Sequence, residues 1–171
     1  MALDGIAVSN IIYELNKSLI GGRIDKIYQP QKDEIVMSVR NNGTSKLLLS
    51  ANPSHPRLHI TTIQRENPIT APMFCMVLRK HIAGSRILSI SQYGLERIAS
   101  IKVEAMNEMG DMVERNLIIE IMGKHSNIIL TDENGKILDS IKHITHETSS
   151  VREVLPGKTY SFPPSQDKLN P

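Results

Sequence analysis

The chain has 171 residues, 40% of them apolar, with 20 Lys and Arg against 18 Asp and Glu, for a formal net charge of +2. That balance suits one globular domain with a sizeable core, and it excludes a disordered chain. It also excludes binding by bulk basicity, so any nucleic-acid footprint must come from how the charges are arranged.

The single cysteine, Cys75, excludes an intramolecular disulfide and suits a reducing cytosol. Within Met73-Phe74-Cys75-Met76-Val77-Leu78 it reads as a small buried hydrophobe rather than a nucleophile. Asp4 and Gly5 interrupt the first apolar residues with no basic segment before them, so no signal peptide is read. No apolar run reaches the length of a membrane span. The expected location is cytoplasmic.

In chain order, Ile11, Ile12, Leu15 and Leu19 recur at helical spacing and predict a helix over Ile6–Ile20, stopped by Gly21-Gly22. Arg23–Tyr28 and Glu34–Arg40 alternate apolar with polar residues and read as a hairpin. Asn41-Asn42-Gly43-Thr44 is the strongest turn signal, and its Asn-Gly pair predicts a type I′ turn. A third strand, Lys46–Ser50, and a short fourth, Arg57–Thr61, follow. Pro72 and Gly84 bracket a second helix from Met73 to Ile82.

From Arg86 the pattern is β again. Strands are expected over Ile87–Tyr93, Arg97–Ala105, Val113–Met122, Asn127–Thr131 and Lys136–Ile141. Ser149 and Ser150, one turn ahead of Glu153, resemble a capping box and predict a short helix ended by Pro156-Gly157. Hairpin-length connections exclude a parallel sheet, which needs long crossovers. About eight or nine short strands with two helices imply an α+β domain, built on a mostly antiparallel sandwich or partly open barrel. Residues 1–160 read as the domain, and the Pro-rich 161–171 as the start of a linker to a downstream domain.

Catalytic signals are missing. Gly21-Gly22-Arg23 lacks the spacing of a nucleotide-binding loop and precedes a strand. His55 and His59 flank Pro56, which forbids the helix that would align them as metal ligands. His143, His146 and Glu147 fall on a polar loop, so no zinc set of three or four ligands is read. No nucleophile elbow is present. The chain is expected to be no enzyme and to need no metal or cofactor.

The most informative stretch is Glu120-Ile121-Met122-Gly123-Lys124-His125-Ser126-Asn127-Ile128-Ile129-Leu130. Two apolar runs, Leu117–Met122 and Ile128–Leu130, flank a cluster holding a cation, an imidazole, a hydroxyl and an amide. Such a cluster can grip phosphate and sugar. It also suits a tight turn whose hydroxyl and amide satisfy local backbone groups. Arg79-Lys80-His81 likewise offers either a solvated helix face or a phosphate grip.

Several segments together resemble one family. They are Ala2-Leu3-Asp4-Gly5, Gly22–Pro30, Asn67-Pro68 ahead of Met76–Lys80, Ile119–Leu130, and Pro163-Pro164 followed by Gln166–Pro171. The chain resembles, over its whole length, the NFACT-N domain that opens the RqcH/NEMF family, often labelled fibronectin-binding protein A in bacteria. The resemblance implies a fold similar to the N-terminal domain of MutM-type DNA glycosylases. Those enzymes open with a catalytic Pro-Glu pair, where this chain has Ala2-Leu3-Asp4, so glycosylase chemistry is not expected.

The resemblance further implies a ribosome-associated quality-control factor. Its relatives bind large ribosomal subunits carrying peptidyl-tRNA and support C-terminal alanine tailing, with this domain holding the tRNA anticodon arm. The large-subunit contact would be made through the full-length protein. The residues implied in tRNA binding are Glu96 and Arg97, then Glu120, Ile121 and Met122 leading into Lys124, His125 and Ser126. Glu96 stands where the family usually has Asp, one methylene shorter.

An Arg can fork onto phosphate or a guanine edge, and unstacked loop bases are the RNA targets that proteins read specifically. The plainer reading of Glu96-Arg97 is a solvated pair near a strand start. Strand alternation also makes at least one of Ile121 and Met122 a core residue. Two other functions stay open: a surface adhesin for fibronectin or fibrinogen, and a nucleic-acid repair enzyme.

Overall fold

The computed structural model describes residues 5–62, 66–93, 97–145 and 152–163. Helix α1, Gly5–Leu19, buries one stripe: Ile12, Leu15 and Leu19 as the periodicity predicted, with Val8 in place of the expected Ile11, which is only partly buried. It ends at Gly21, whose φ of 83° needs glycine. Its amide donates to the Ile87 carbonyl at 2.9 Å, so the helix stop also ties to a strand. Asn16 makes a second tie: its side chain donates to the Ile90 carbonyl at 2.8 Å and accepts from the Ile90 amide at 3.2 Å.

The strands are β1 (Arg23–Gln31), β2 (Glu34–Arg40), β3 (Thr44–Ser50) and β4 (Arg57–Thr61), then helix α2 (Met73–Ile82), then β5 (Arg86–Gln92), β6 (Ile98–Met106), β7 (Met112–Glu120), β8 (Asn127–Thr131) and β9 (Ile137–Ser140). Every paired neighbour is antiparallel. All nine lie in one sheet, ordered β4-β3-β2-β1-β5-β6-β7-β8-β9. The α+β, antiparallel expectation holds.

The sheet bends at a short seam. β1 and β5 share a single registered pair, Arg23↔Arg86, so the strands on either side form two wings that fold toward each other. β3 touches β8 across the fold, and α1 and α2 fill the space between the wings. The main core therefore draws on both helices and both wings, from Leu47, Leu49 and Leu58 on one side to Leu117, Ile119 and Ile128 on the other.

A smaller core lies on the opposite face of the second wing, with Ile98, Ile118, Met122, Ile129, Ile137 and Val154 packed against Tyr93 and Tyr160. Its cover is the C-terminal segment 152–163, which we call the strap. Lys136 bridges Thr159, and Ile144 bridges Val154. Strands buried on both faces lose the polar half of their alternation, which accounts for the apolar runs Leu117–Met122, broken only by the buried Glu120, and Ile128–Leu130.

Three local expectations are corrected. Asn41-Asn42-Gly43 forms a three-residue connection between the paired Arg40 and Thr44, not a two-residue type I′ turn. The positive φ values foreseen for Asn42 and Gly43 are nevertheless present, at 55° and 129°. The β7 strand stops at Glu120 rather than Met122, because Met122 (φ −135°, ψ 45°) leaves the extended region. No helix includes Arg152–Leu155. Instead Val154 pairs both backbone groups with Ile144, at 2.8 and 3.0 Å, because tertiary pairing outweighs a weak local cap. Ser149 and Ser150, like Ala2–Asp4, lie outside the described residues.

Candidate nucleic-acid interface

The candidate residues converge at one end of the second wing, where two connections meet. The first joins β5 to β6: the Tyr93 amide donates to the Ile98 carbonyl at 3.2 Å, and Arg97 precedes β6 directly. The second follows β7. Its Ile121 amide donates to the Arg97 carbonyl at 2.8 Å, so Arg97 and the Glu120–Ser126 stretch are backbone neighbours. Arg97 is half-buried. Glu96 lies outside the described residues.

The second connection is built by local chemistry. Gly123 adopts a φ of +59°, and Gly123–His125 makes one turn of 3₁₀ helix. The His125 amide donates to the Met122 carbonyl and the Ser126 amide to the Gly123 carbonyl, each at 3.1 Å. The Met122 amide donates to Ser126 Oγ at 2.8 Å, which buries the hydroxyl in the turn. Asn127 is buried too. Its Oδ1 accepts from the Lys142 amide at 3.0 Å, and its Nδ2 donates to the Lys142 carbonyl at 3.0 Å. The polar cluster thus divides by role: Ser126 and Asn127 hold the backbone, while Lys124 and His125 are exposed.

Ile121 and Met122 face opposite sides, as alternation requires. Ile121 belongs to the main core and Met122 to the smaller one, so both are core residues. Glu120 has 0% exposure. Arg152 Nη2 donates to its Oε1 at 2.5 Å, and the Tyr160 hydroxyl donates to its Oε2 at 2.7 Å. Burial, then the Glu120 carboxylate beside it, pushes the Tyr160 phenol far above its ordinary range, so it stays a protonated donor. Glu120 therefore staples the strap to the wing, with both oxygens engaged.

The strap supplies residues that the sequence did not flag: Arg152, Tyr160 and Phe162. Arg152 Nη1 also donates to the Ser161 carbonyl at 2.5 Å, fixing the backbone beside Phe162. The Phe162 ring meets Tyr93 at 4.5 Å between centroids and Tyr160 at 5.8 Å, both edge-to-face. The only sequence signal was the aromatic alternation Tyr160-Ser161-Phe162 ahead of the prolines.

At this end of the wing the structure thus gathers a half-buried guanidinium, an exposed ammonium, an exposed imidazole and an exposed ring. That set can hold phosphate by charge and a base by stacking.

The Arg79-Lys80-His81 run lies elsewhere, on α2, where Arg79 and Lys80 are exposed and His81 is half-buried. Arg79 Nε donates to the Ile27 carbonyl at 2.8 Å, and its guanidinium sits 5.5 Å from the Tyr28 ring centroid. Lys80 makes an exposed ion pair with Glu108 at 3.8 Å. The His81 carbonyl accepts from Arg115 Nη1 at 2.7 Å. Burial, then the nearby Arg115 and Lys80 cations, lowers the His81 pKa. Among the described residues no group of three or more His, Cys, Asp or Glu is placed to hold a metal ion. No described helix is long and apolar enough to cross a membrane.

Comparison with known proteins places this architecture. A family described as NFACT N-terminal and middle domains matches residues 4–171. The Rqc2 homolog RqcH of Bacillus subtilis (strain 168) is 49% identical over 173 residues, covering 100% of this chain and 30% of that protein. The Rqc2 homolog RqcH of Streptococcus pneumoniae serotype 2 is 47% identical over 173 residues, covering 100% of this chain and 31% of that protein. A solved structure, the N-terminal domain of fibronectin-binding protein PavA from Streptococcus pneumoniae, matches with a TM-score of 0.91 at 47% identity. That match covers 95% of this chain and 62% of that one. The chain therefore spans about a third of the length of the RqcH relatives, at 30% and 31%.

Proposed function

The chain belongs to the family of NFACT N-terminal and middle domains, and from that membership we propose that it is the non-catalytic, tRNA-holding module of a ribosome quality-control factor. In this reading the module grips the anticodon arm, while the full-length protein engages large ribosomal subunits carrying peptidyl-tRNA and supports alanine tailing in the cytoplasm. The same reading makes residues 1–160 the module and the following residues a linker. It also carries the likeness to the N-terminal domain of MutM-type glycosylases as a fold-level analogy without their chemistry.

The observation that supports it best is the meeting of Arg97 with the Ile121–Ser126 connection, which leaves Lys124 and His125 exposed beside it. Glu120, Ile121, Met122 and Ser126 act from inside, by holding the connection and the strap. Arg97, Lys124 and His125 act from outside, by meeting the RNA. Glu96 is proposed as Arg97's companion on the strength of the family pattern alone.

Fluorescence anisotropy with labelled tRNA tests this. Arg97→Ala and Lys124→Ala are expected to weaken binding several-fold at low salt. Each removed phosphate contact should lower the slope of log affinity against log salt by about 0.7 to 0.9. Melting temperatures should barely move, because both side chains reach solvent. Unchanged tRNA affinity in both variants at low salt would remove the proposal.

The solved PavA relative is a fibronectin-binding protein by name, which favours a second reading, binding of fibronectin. Sub-micromolar capture of purified fibronectin by the chain, with no affinity for tRNA, would put that reading first.

A further inference from the structure

The exposed aromatic at the candidate interface has a role that charge alone does not supply. Phe162 keeps 56% of its surface in solvent, yet two tyrosine rings hold it. Tyr93 and Tyr160 meet it at interplanar angles of 70° and 83°, so neither lies flat on its ring. Tyr160 is locked through its hydroxyl to Glu120, and the preceding carbonyl, of Ser161, accepts from Arg152. Tyr93 and Tyr160 both pack against the smaller core that contains Met122. The strap therefore presents a large apolar ring, positioned by two tyrosines, beside the connections that carry Arg97, Lys124 and His125.

The surrounding charge suits a polyanion. Among the described residues of this region, Glu120 is buried against Arg152 and Glu153 pairs with Lys158 at 3.3 Å. Arg97 and Lys124 have no side-chain acid partner among the described residues. A fixed aromatic at the same end of a wing as such cations suits the capture of an unstacked base, since every base offers a π-face to the ring while cations hold the neighbouring phosphates.

We propose that Phe162 is a stacking platform for one unpaired base of the bound RNA. This rests on the RNA-binding reading above and assigns a residue that reading does not contain. It makes the interface a reader of single-stranded loops rather than of duplex RNA.

The test uses the 171-residue chain with two probes: a labelled RNA hairpin carrying 2-aminopurine in its unpaired loop, and a fully paired RNA duplex. Phe162→Ala is expected to weaken hairpin binding roughly 5- to 100-fold, in line with the loss of one base stack. It should leave duplex affinity, and the salt slope that reports phosphate contacts, unchanged. Phe162→Trp should restore hairpin binding and the change in 2-aminopurine fluorescence on binding.

If Arg97→Ala loses affinity while Phe162→Ala binds the hairpin like the wild type, the RNA reading stands and the stacking role falls. If Phe162→Ala weakens hairpin and duplex equally, the ring is structural and the proposal is overturned. If it spares RNA but abolishes binding of purified fibronectin, the ring belongs to a protein contact, and the proposal is equally overturned.

Discussion

Replacing Glu120 by Ala tests the staple directly. The substitution removes the acceptor from Arg152, whose side chain keeps 15% exposure, and from the Tyr160 hydroxyl, while the vacated site has 0% exposure. Breaking a buried ion pair by deleting one partner costs about 3–5 kcal/mol, because the other charge stays desolvated. The partial exposure of Arg152 places its share at the low end, and the orphaned phenol adds about 1 kcal/mol. The expected loss is therefore about 3–4 kcal/mol. At about 2–4 °C per kcal/mol for a chain of this size, the melting temperature should fall by about 6–16 °C.

The strap should also loosen before the wings do. Hydrogen exchange should speed up at the Val154 and Tyr160 amides, which donate to the Ile144 and Gly135 carbonyls. Replacing the network as a unit, with Glu120→Leu, Arg152→Met and Tyr160→Phe, should recover more than half of the loss, because no charge is then left unpaired. Calorimetry and exchange measured by mass spectrometry check both points. A Glu120→Ala melting temperature within about 2 °C of wild type, with Val154 and Tyr160 as well protected as before, would refute the staple.

Further outcomes follow from other sites. Because the folded His81 has a lowered pKa, the unfolded chain binds the extra proton first. Its contribution to stability should therefore be intact above pH ~6.5 and drain away as pH falls below it; His81→Gln should flatten that part of the stability profile in urea titrations. Gly22 adopts no positive φ, yet a Cβ there would lie 2.8 Å from Val39 Cγ1 and 3.0 Å from the Leu19 carbonyl oxygen. Gly22→Ala should cost about 1–3 kcal/mol by overpacking, read as a lower urea midpoint at unchanged slope. Cys75 is fully buried and burial raises its thiol pKa, so an aromatic disulfide reagent should label it only at the rate of unfolding. Labelling within seconds under native conditions would contradict that placement.

Much of the fold was legible because it is local. The stripe Val8, Ile12, Leu15 and Leu19 is one face of one helix, Pro72 and Gly84 bracket the next, and strands such as Arg57–Thr61 and Asn127–Thr131 match their expected bounds. The strand bounds, and much of the antiparallel class, follow from alternation and short connections between neighbours in the chain. The apolar run Leu117–Met122 was legible as a strand, but not as one buried on both faces. That depends on the strap, where the expected helix is absent over the described residues Arg152–Leu155.

The site divides the same way. Residue chemistry and family pattern point alike to Glu96, Arg97, Glu120, Ile121, Met122, Lys124, His125 and Ser126, and only the structure separates the exposed Lys124 and His125 from the buried Glu120, Ile121, Met122 and Ser126. The assignments that turned on long-range pairing were out of reach of the sequence. Glu120 meets Arg152 and Tyr160 at separations of 32 and 40 residues, Arg97 meets Ile121 through the backbone, and Phe162 meets Tyr93 across the strap. Periodicity records which way a residue faces within its own element. Which element then covers that face is decided by packing the two wings and the strap into one low-energy arrangement. Glu120, whose carboxylate the sequence offers to RNA, lies buried against the cation and the phenol that folding brings to it.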